Sequence, residues 1–336
     1  MPAVRLVPMS PERYPDWARA SISGFAEQQV ASGTLPEREA REYAEREFDS
    51  LLPEGLLTPG QHVWSAYDGP DEVGSLWLGL RTGSEGPEGY VYDVAVAPGL
   101  RGRGLGRALM LAGEAQAHSL GARTMRLTVF GHNEPARGLY GGLGYETAAT
   151  QMTRRLDRPR TSSSPGAPVV RLEPAGRAQY ERYRATAERR YAEAIAESGM
   201  AAAQEARAKS AADYARLLPD GLDTPGHFFW TAYDGEAEVG LAWIHETARS
   251  DGPHAYGYDL LVAEPLRRHG YGRAIMLAVE DVCRARGVVS VALTVFGHNP
   301  GARALYEQMG FAASATLLRK PLGQSSAAGA AAAPRG

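Results

Sequence analysis

Two glycine-rich stretches decide the fold of this chain. Residues 92–108 read YDVAVAPGLRGRGLGRA, and residues 258–274, 166 positions further along, read YDLLVAEPLRRHGYGRA. Each stretch predicts a short apolar strand, a glycine loop and the start of a helix. Glycines let backbone N–H groups converge on one point, and a helix N-terminus adds positive potential there. Each stretch therefore predicts an anion-binding loop.

The repetition extends over nearly all of the 336 residues. A shift of 166 positions aligns the chain with itself without gaps, and roughly two-fifths of the paired positions are identical, which indicates a duplicated domain rather than a solenoid. We predict a first domain at 1–157, a linker at 158–168, a second domain at 169–322 and a disordered tail at 323–336. The linker and the tail are rich in Ser, Gly and Ala, a composition typical of segments without a packed core.

Both copies predict the same order of elements. A strand precedes two helices, which are separated by Gly33 in the first copy and by Gly199 in the second, and a hairpin follows. The glycine stretch then leads through its helix to an apolar strand at 125–130, and strands near 145–156 are expected to complete the first copy. The predicted fold class is α/β, with two tandem domains, each a mixed, largely antiparallel twisted sheet flanked by helices.

Composition narrows the class of protein. A net charge of −3 gives no general attraction to nucleic acid or to an anionic membrane, and nowhere do about 18 apolar residues run together. The single cysteine, Cys283, excludes an internal disulfide framework, and its counterpart Ala117 excludes a cysteine nucleophile shared by both copies. We expect a cytoplasmic enzyme or binding protein with no nucleic acid or membrane partner.

The residues of the glycine stretch can be compared with known types of nucleotide-binding loop. A P-loop requires Gly-Lys followed by Ser or Thr, but Gly106 is followed by arginine and alanine. A dinucleotide fingerprint requires an acidic residue at the end of the next strand, and residues 127–131 contain none. The remaining pattern, Arg-x-x-Gly-x-Gly, resembles the GCN5-related N-acetyltransferase (GNAT) family. A second block at 127–145, repeated at 293–311, resembles the same family.

The resemblance implies direct transfer of an acetyl group from acetyl-CoA, as co-substrate, to an amine, without a metal. It also implies a tyrosine that protonates the departing thiolate, which by position is Tyr140 or Tyr306. The ordinary tyrosine pKa of about 10 is close enough to that of a thiol for proton transfer. From residue type alone, a core aromatic on the inner face of a short helix is the alternative.

The general base is an acidic residue on the glycine-stretch strand in many relatives. Asp93 and Asp259 occupy that place, in otherwise apolar strands where an ionised group is costly unless it is hydrogen-bonded or functional. A structural carboxylate that caps a neighbouring loop is the alternative. His132 and His298 are further candidates, ranked below the aspartates.

The expected acetyl-CoA-binding residues lie at the strand end, in the glycine loop and at helix starts. They are Val94, Ala95, Val96, Arg101, Gly102, Arg103, Gly104, Leu105, Gly106, Arg107, Asn133, Leu260, Leu261, Val262, Arg267, Arg268, His269, Gly270, Tyr271, Gly272, Arg273 and Asn299. The two asparagines also fit as helix N-caps.

The leading functional hypothesis is an N-acetyltransferase that acts on a small-molecule amine. Acetylation of a protein N-terminus or lysine is the alternative within the same fold, and a non-catalytic acyl-CoA-binding regulatory module is the alternative from another class. The acceptor is expected to bind near the N-terminal helices, where the copies diverge most. The copies are expected to pack as an internal pseudo-dimer in a monomer, with a homodimer as the alternative.

Overall fold

The structure, a computed structural model, describes residues 4–83, 86–158 and 168–323, so the predicted linker and tail lie almost wholly outside it. The first copy comprises β1 (Val4–Pro8), α1 (Tyr14–Ala31), α2 (Glu37–Leu51), β2 (Gln61–Asp68), β3 (Asp71–Gly83), β4 (Gly86–Val96), α3 (Leu105–Ser119), β5 (Thr124–Phe130), α4 (Glu134–Gly142) and β6 (Glu146–Arg155). The second comprises β7 (Arg171–Pro174), α5 (Arg177–Glu197), α6 (Ala203–Leu217), β8 (His227–Asp234), β9 (Ala237–Arg249), β10 (Gly252–Val262), α7 (Tyr271–Ala285), β11 (Ser290–Phe296), α8 (Pro300–Gln308) and β12 (Ala312–Pro321).

The mixed α/β fold predicted from the sequence is confirmed. Local backbone conformation explains where the first helix of each copy ends. Gly33 and Gly199 adopt φ values of +70° and +67°, and this left-handed conformation ends the first helix of each copy. β4 and β5 run parallel with α3 as their crossover, and β10, α7 and β11 repeat that unit. None of the helices in the described parts of the chain is long and apolar enough to span a bilayer.

The two copies share one continuous sheet of twelve strands. Its order is β1-β2-β3-β4-β5-β12-β6-β11-β10-β9-β8-β7, so each copy places its last strand in the other copy's half. β12 lies antiparallel between β5 and β6, and β6 pairs antiparallel with β11. At the centre Thr316 faces Thr150, its counterpart in the repeat. The fold is therefore a pseudo-dimer with exchanged strands.

This arrangement differs from the expectation that residues 145–156 complete the first copy. β6 leaves that copy and pairs with β11 of the second. The repeat cannot distinguish the two outcomes, because the edges of β5 and β11 have nearly the same sequence and either copy's last strand fits them.

One glycine in each copy makes room for the exchanged strand. A Cβ on Gly131, just after β5, would lie 1.7 Å from the backbone oxygen of Ala313 on β12. A Cβ on Gly297, just after β11, would lie 2.0 Å from the backbone oxygen of Thr147 on β6. Because real contacts do not come so close, only glycine fits at these two positions.

Each exchanged strand also brings a cation to a glutamate on a helix of the other copy. Arg154 on β6 donates to Glu280 on α7 over 2.6 Å, and both side chains are buried. At the equivalent positions, Lys320 on β12 donates to Glu114 on α3, also over 2.6 Å. A buried ion pair is strongly destabilised when one partner is removed, because the other charge loses its compensation.

We predict that Glu280→Gln lowers the free energy of unfolding by about 3 kcal/mol or more, since it removes the negative charge of a fully buried carboxylate that pairs with the buried Arg154. Glu307→Gln is the matched control, because Glu307 pairs with Arg303 on the exposed face of α8 and is expected to cost less than about 0.5 kcal/mol. Urea denaturation of the full chain measures both. Equal losses in the two variants would contradict the assigned role of the buried pair.

Candidate active site

Each crossover unit opens into a wedge between its two parallel strands. β4 pairs with β5 only from Glu88 to Val91, where the register with β3 shifts by one residue at a bulge. Beyond the bulge, Asp93 to Val96 pair with β3 alone among the described strands. β10 diverges from β11 after Gly257 in the same way. The predicted residues 94–96 and 260–262 therefore lie along the open side of a wedge.

The glycine loops have the geometry that an anion site requires. Gly104 and Gly270 are the N-caps of α3 and α7, with φ values of +81° and +88°, and neither position has a side chain to cap the helix. The N–H groups of the first turn therefore remain available to a ligand. Gly102 also has positive φ, and its counterpart Arg268 is the one non-glycine residue with positive φ in the described ranges. A loop of this geometry is suited to an anion, and strain at a residue such as Arg268 is typical of functional sites.

The arginines of the first loop bond to backbone carbonyls close to it. Arg101 donates to Val96, Arg103 to Gly99, and Arg107 donates to Gly142 at the end of α4. These contacts place three cations around the N-terminus of α3, where they complement an anion.

In the second copy, a cleft of about 900 Å³ brings most of the predicted residues together. It is lined by Asp259, Tyr306, Asn299, Leu260, Leu261, Val262, Arg267, Arg268, Gly270, Gly272 and Arg273. Two predicted residues do not line it. His269 contacts the backbone oxygen of Arg267, and the Tyr271 hydroxyl donates to Asp234.

The two predicted tyrosines occupy equivalent, largely desolvated positions on α4 and α8. Burial raises the pKa of both Tyr140 and Tyr306 to about 12, with a smaller contribution from the carboxylates of Asp93 and Asp259 respectively. Each hydroxyl therefore keeps its proton at neutral pH. In the second copy, Asp259 and Tyr306 line the same cleft.

Asp93 is the more isolated of the two carboxylates. Burial raises its pKa above the ordinary value, although the Ser21 hydroxyl and the Trp17 indole N–H on α1 favour the ionised form. The indole N–H does not reach hydrogen-bonding geometry. A carboxylate with a raised pKa is a better proton acceptor at neutral pH than an ordinary aspartate.

Asp259 has a different environment. Its Oδ2 accepts a hydrogen bond of 3.1 Å from Arg190 on α5. Sequence reasoning did not include Arg190 among the site residues. The signal that could have identified it is the repeat itself, because the corresponding residue of the first copy is Gly24.

The remaining candidates have structural partners. Asn133 and Asn299 accept hydrogen bonds from the N–H groups of Ala136 and Ala302, as helix N-caps do. His298 lies 3.3 Å from Glu197 on α5, outside the pair formed by Asp259 and Tyr306.

Comparisons with known proteins agree with this geometry. The Acetyltransferase (GNAT) family matches residues 27–145 and 190–311, once in each copy. An uncharacterized N-acetyltransferase of Bacillus subtilis, YycN, is 32% identical over 154 residues, which cover 46% of this chain and 99% of the relative. A mycothiol acetyltransferase of Thermobispora bispora is 32% identical over 254 residues, covering 73% of this chain and 78% of the relative.

A solved structure also extends over both copies. A GCN5-related N-acetyltransferase from Sphaerobacter thermophilus superimposes with a TM-score of 0.50 at 20% identity, covering 95% of this chain and 96% of the other. This likeness concerns the fold alone. The family match in both copies, together with the wedge and the glycine loop in each, means that the chain belongs to the GNAT acetyltransferase family and is an N-acetyltransferase.

Proposed function

We propose that the protein transfers the acetyl group of acetyl-CoA to the amine of a small molecule by direct attack. The observation that carries the proposal is that one cleft of the second copy is lined by Asp259, Tyr306 and the glycine loop at an uncapped helix N-terminus, and that the first copy has the equivalent residues and loop. A site with this arrangement can take a proton from an amine and return one to a leaving group.

Acetyl-CoA supplies the acetyl group as a thioester. In the first copy, the acceptor ammonium gives one proton to Asp93, whose raised pKa favours the transfer. The neutral nitrogen forms a bond with the acetyl carbon while the carbon–sulfur bond breaks. Tyr140, which stays protonated until then, gives its proton to the sulfur and recovers one from the acetylated nitrogen.

Two observations support a small acceptor. The acceptor end of the second cleft is walled by α5 and α6, with Tyr191 and Tyr214 among its lining residues. A concave cleft of this kind, lined by aromatic side chains, suits a small molecule. In addition, the Thermobispora bispora relative is an acetyltransferase for mycothiol, which is a small molecule.

The test of the proposed function is release of free thiol from acetyl-CoA in the presence of a panel of amines, with Tyr140→Phe/Tyr306→Phe as the diagnostic double variant. We expect kcat to fall about 100-fold or more, because the departing sulfur loses its proton donor, while the Kd for acetyl-CoA stays unchanged. The control is Tyr67→Phe/Tyr233→Phe, at equivalent positions near the ends of β2 and β8, where each ring contacts an arginine.

Thiol release that is the same in the two double variants would remove Tyr140 and Tyr306 from the mechanism. No thiol release with any amine, despite binding of acetyl-CoA, would overturn the proposed function in favour of a regulatory acyl-CoA-binding module.

Neutralising the two aspartates is expected to change the free energy of unfolding in opposite directions. Burial raises the pKa of Asp93, so this residue stabilises the fold below pH 3.8 and loses that contribution as pH rises through the raised value. We predict that Asp93→Asn raises the free energy of unfolding by about 1 kcal/mol at pH 7 and by less at pH 4. Thiol release is expected to fall in the same variant.

Asp259→Asn is the matched variant, and we predict a loss of about 1–3 kcal/mol because Arg190 keeps its charge without a partner. Urea unfolding at both pH values measures the two effects. A shift in the same direction for both variants would contradict the assigned difference between the sites.

A further inference from the structure

The acceptor ends of the two copies differ in charge at one helix position. Arg190 on α5 donates from Nη2 to Asp259, whereas the equivalent residue on α1 is Gly24. A Cβ on Gly24 would meet no atom within 4 Å, so a side chain can start from this position without a clash at its first carbon. Similar glycine loops in the two copies are thus combined with a different charge at the acceptor end.

Arg190 is held in the cleft with hydrogen-bonding capacity to spare. Its side chain is 31% exposed, lines the cleft and lies with its guanidinium carbon 5.7 Å from the centre of the Tyr183 ring. Its Nε–H is buried and has no hydrogen-bond partner among the described residues. A guanidinium has five N–H donors in a planar fork that matches a carboxylate, and Asp259 accepts from Nη2 alone, so the exposed part of the guanidinium keeps donors for a second carboxylate.

We propose that the second copy takes a zwitterionic acceptor, a small molecule that carries both an ammonium and a carboxylate group, and that Arg190 determines this specificity. The acceptor carboxylate pairs with Arg190 and the acceptor ammonium pairs with Asp259. This inference rests on the proposed function, since it names the substrate class of one of its two sites.

The energetic reason is the exchange of one ion pair for two. A simple amine that approaches Asp259 competes with Arg190 for the carboxylate, so the partly buried guanidinium loses part of its counter-charge, and such a loss is costly. A zwitterion supplies the missing negative charge, so every charge in the site remains paired. The first copy has no arginine at this helix position and needs no such compensation.

Binding of the zwitterion also frees the base. Once the acceptor carboxylate holds Arg190, Asp259 takes one proton from the ammonium. The nitrogen forms its bond to the acetyl carbon as the carbon–sulfur bond breaks. The sulfur receives the proton of Tyr306, and the second proton of the nitrogen restores that hydroxyl.

The test is calorimetric titration of the full chain saturated with CoA, which cannot react. The probes are glycine, β-alanine and γ-aminobutyrate, each compared with its own amide, which keeps the ammonium and lacks the negative charge. Three lengths cover different separations of the two charges. We expect at least one acid to bind about tenfold or more tightly than its amide, as a charge-assisted hydrogen bond predicts.

Arg190→Met should abolish that preference. Arg189→Met is the matched control, because Arg189 is the adjacent residue, is 70% exposed and faces Glu193 at 3.7 Å, and it should retain the preference. Gly24→Arg should create a second zwitterion site of comparable preference in the first copy, where an added Cβ meets no atom within 4 Å.

Equal binding of acids and amides, or a preference that survives Arg190→Met, would overturn the inference. Failure of every acid to bind, together with faster thiol release from simple amines in Arg190→Met, would instead show that Arg190 only blocks the second site. Thiol release tests the proposed function separately. If the chain binds acids through Arg190 but never releases thiol, acetyl transfer is refuted while the inferred ligand class stands.

Discussion

The exchange of the last strand between the two copies is the constraint on which the rest of this molecule depends. Each exchanged strand brings a cation to a glutamate in the other half, Arg154 to Glu280 and Lys320 to Glu114. A shift of register by one residue would turn those cations to the opposite face of the sheet, so each glutamate would lose its partner from the other copy and Glu280 would keep only contacts such as that with Arg284 on its own helix. The ion pairs therefore favour one register for each exchanged strand, whatever their net contribution to stability.

Both sites depend on this exchange. Tyr140 lies on α4, which connects β5 to the exchanged strand β6, and Tyr306 lies on α8, which connects β11 to the exchanged strand β12. Each helix follows a glycine that the other copy's exchanged strand approaches closely. The position of each tyrosine is consequently set by both copies. The pairing of β5, β12, β6 and β11 keeps the two sites in one rigid sheet, while α1 and α5 are free to differ. Gly24 and Arg190 are the residues in which that difference is most direct.

Much of this could be predicted from the sequence, because the signals are local. Glycines at 33 and 199 end helices, asparagines at 133 and 299 cap them, and the glycine stretches form the strand, loop and helix that they predict. The strand exchange could not be predicted, since two copies of one sequence offer interchangeable edges. The contact between Arg190 and Asp259 could not be predicted either. It joins α5 to β10 across 69 positions of sequence, and the sequence of α5 gives no signal for which of its residues faces that strand.

The central claim is that the exchanged strands make the two copies one cooperative unit, and native-state hydrogen exchange tests it most directly. The account predicts that the amides of β5 and β11 open with the same free energy in the unmodified chain. It also predicts that Glu280→Gln, although it lies in the second copy, lowers that free energy equally in both strands. Loss of protection in β11 alone, with β5 unchanged, would contradict the account.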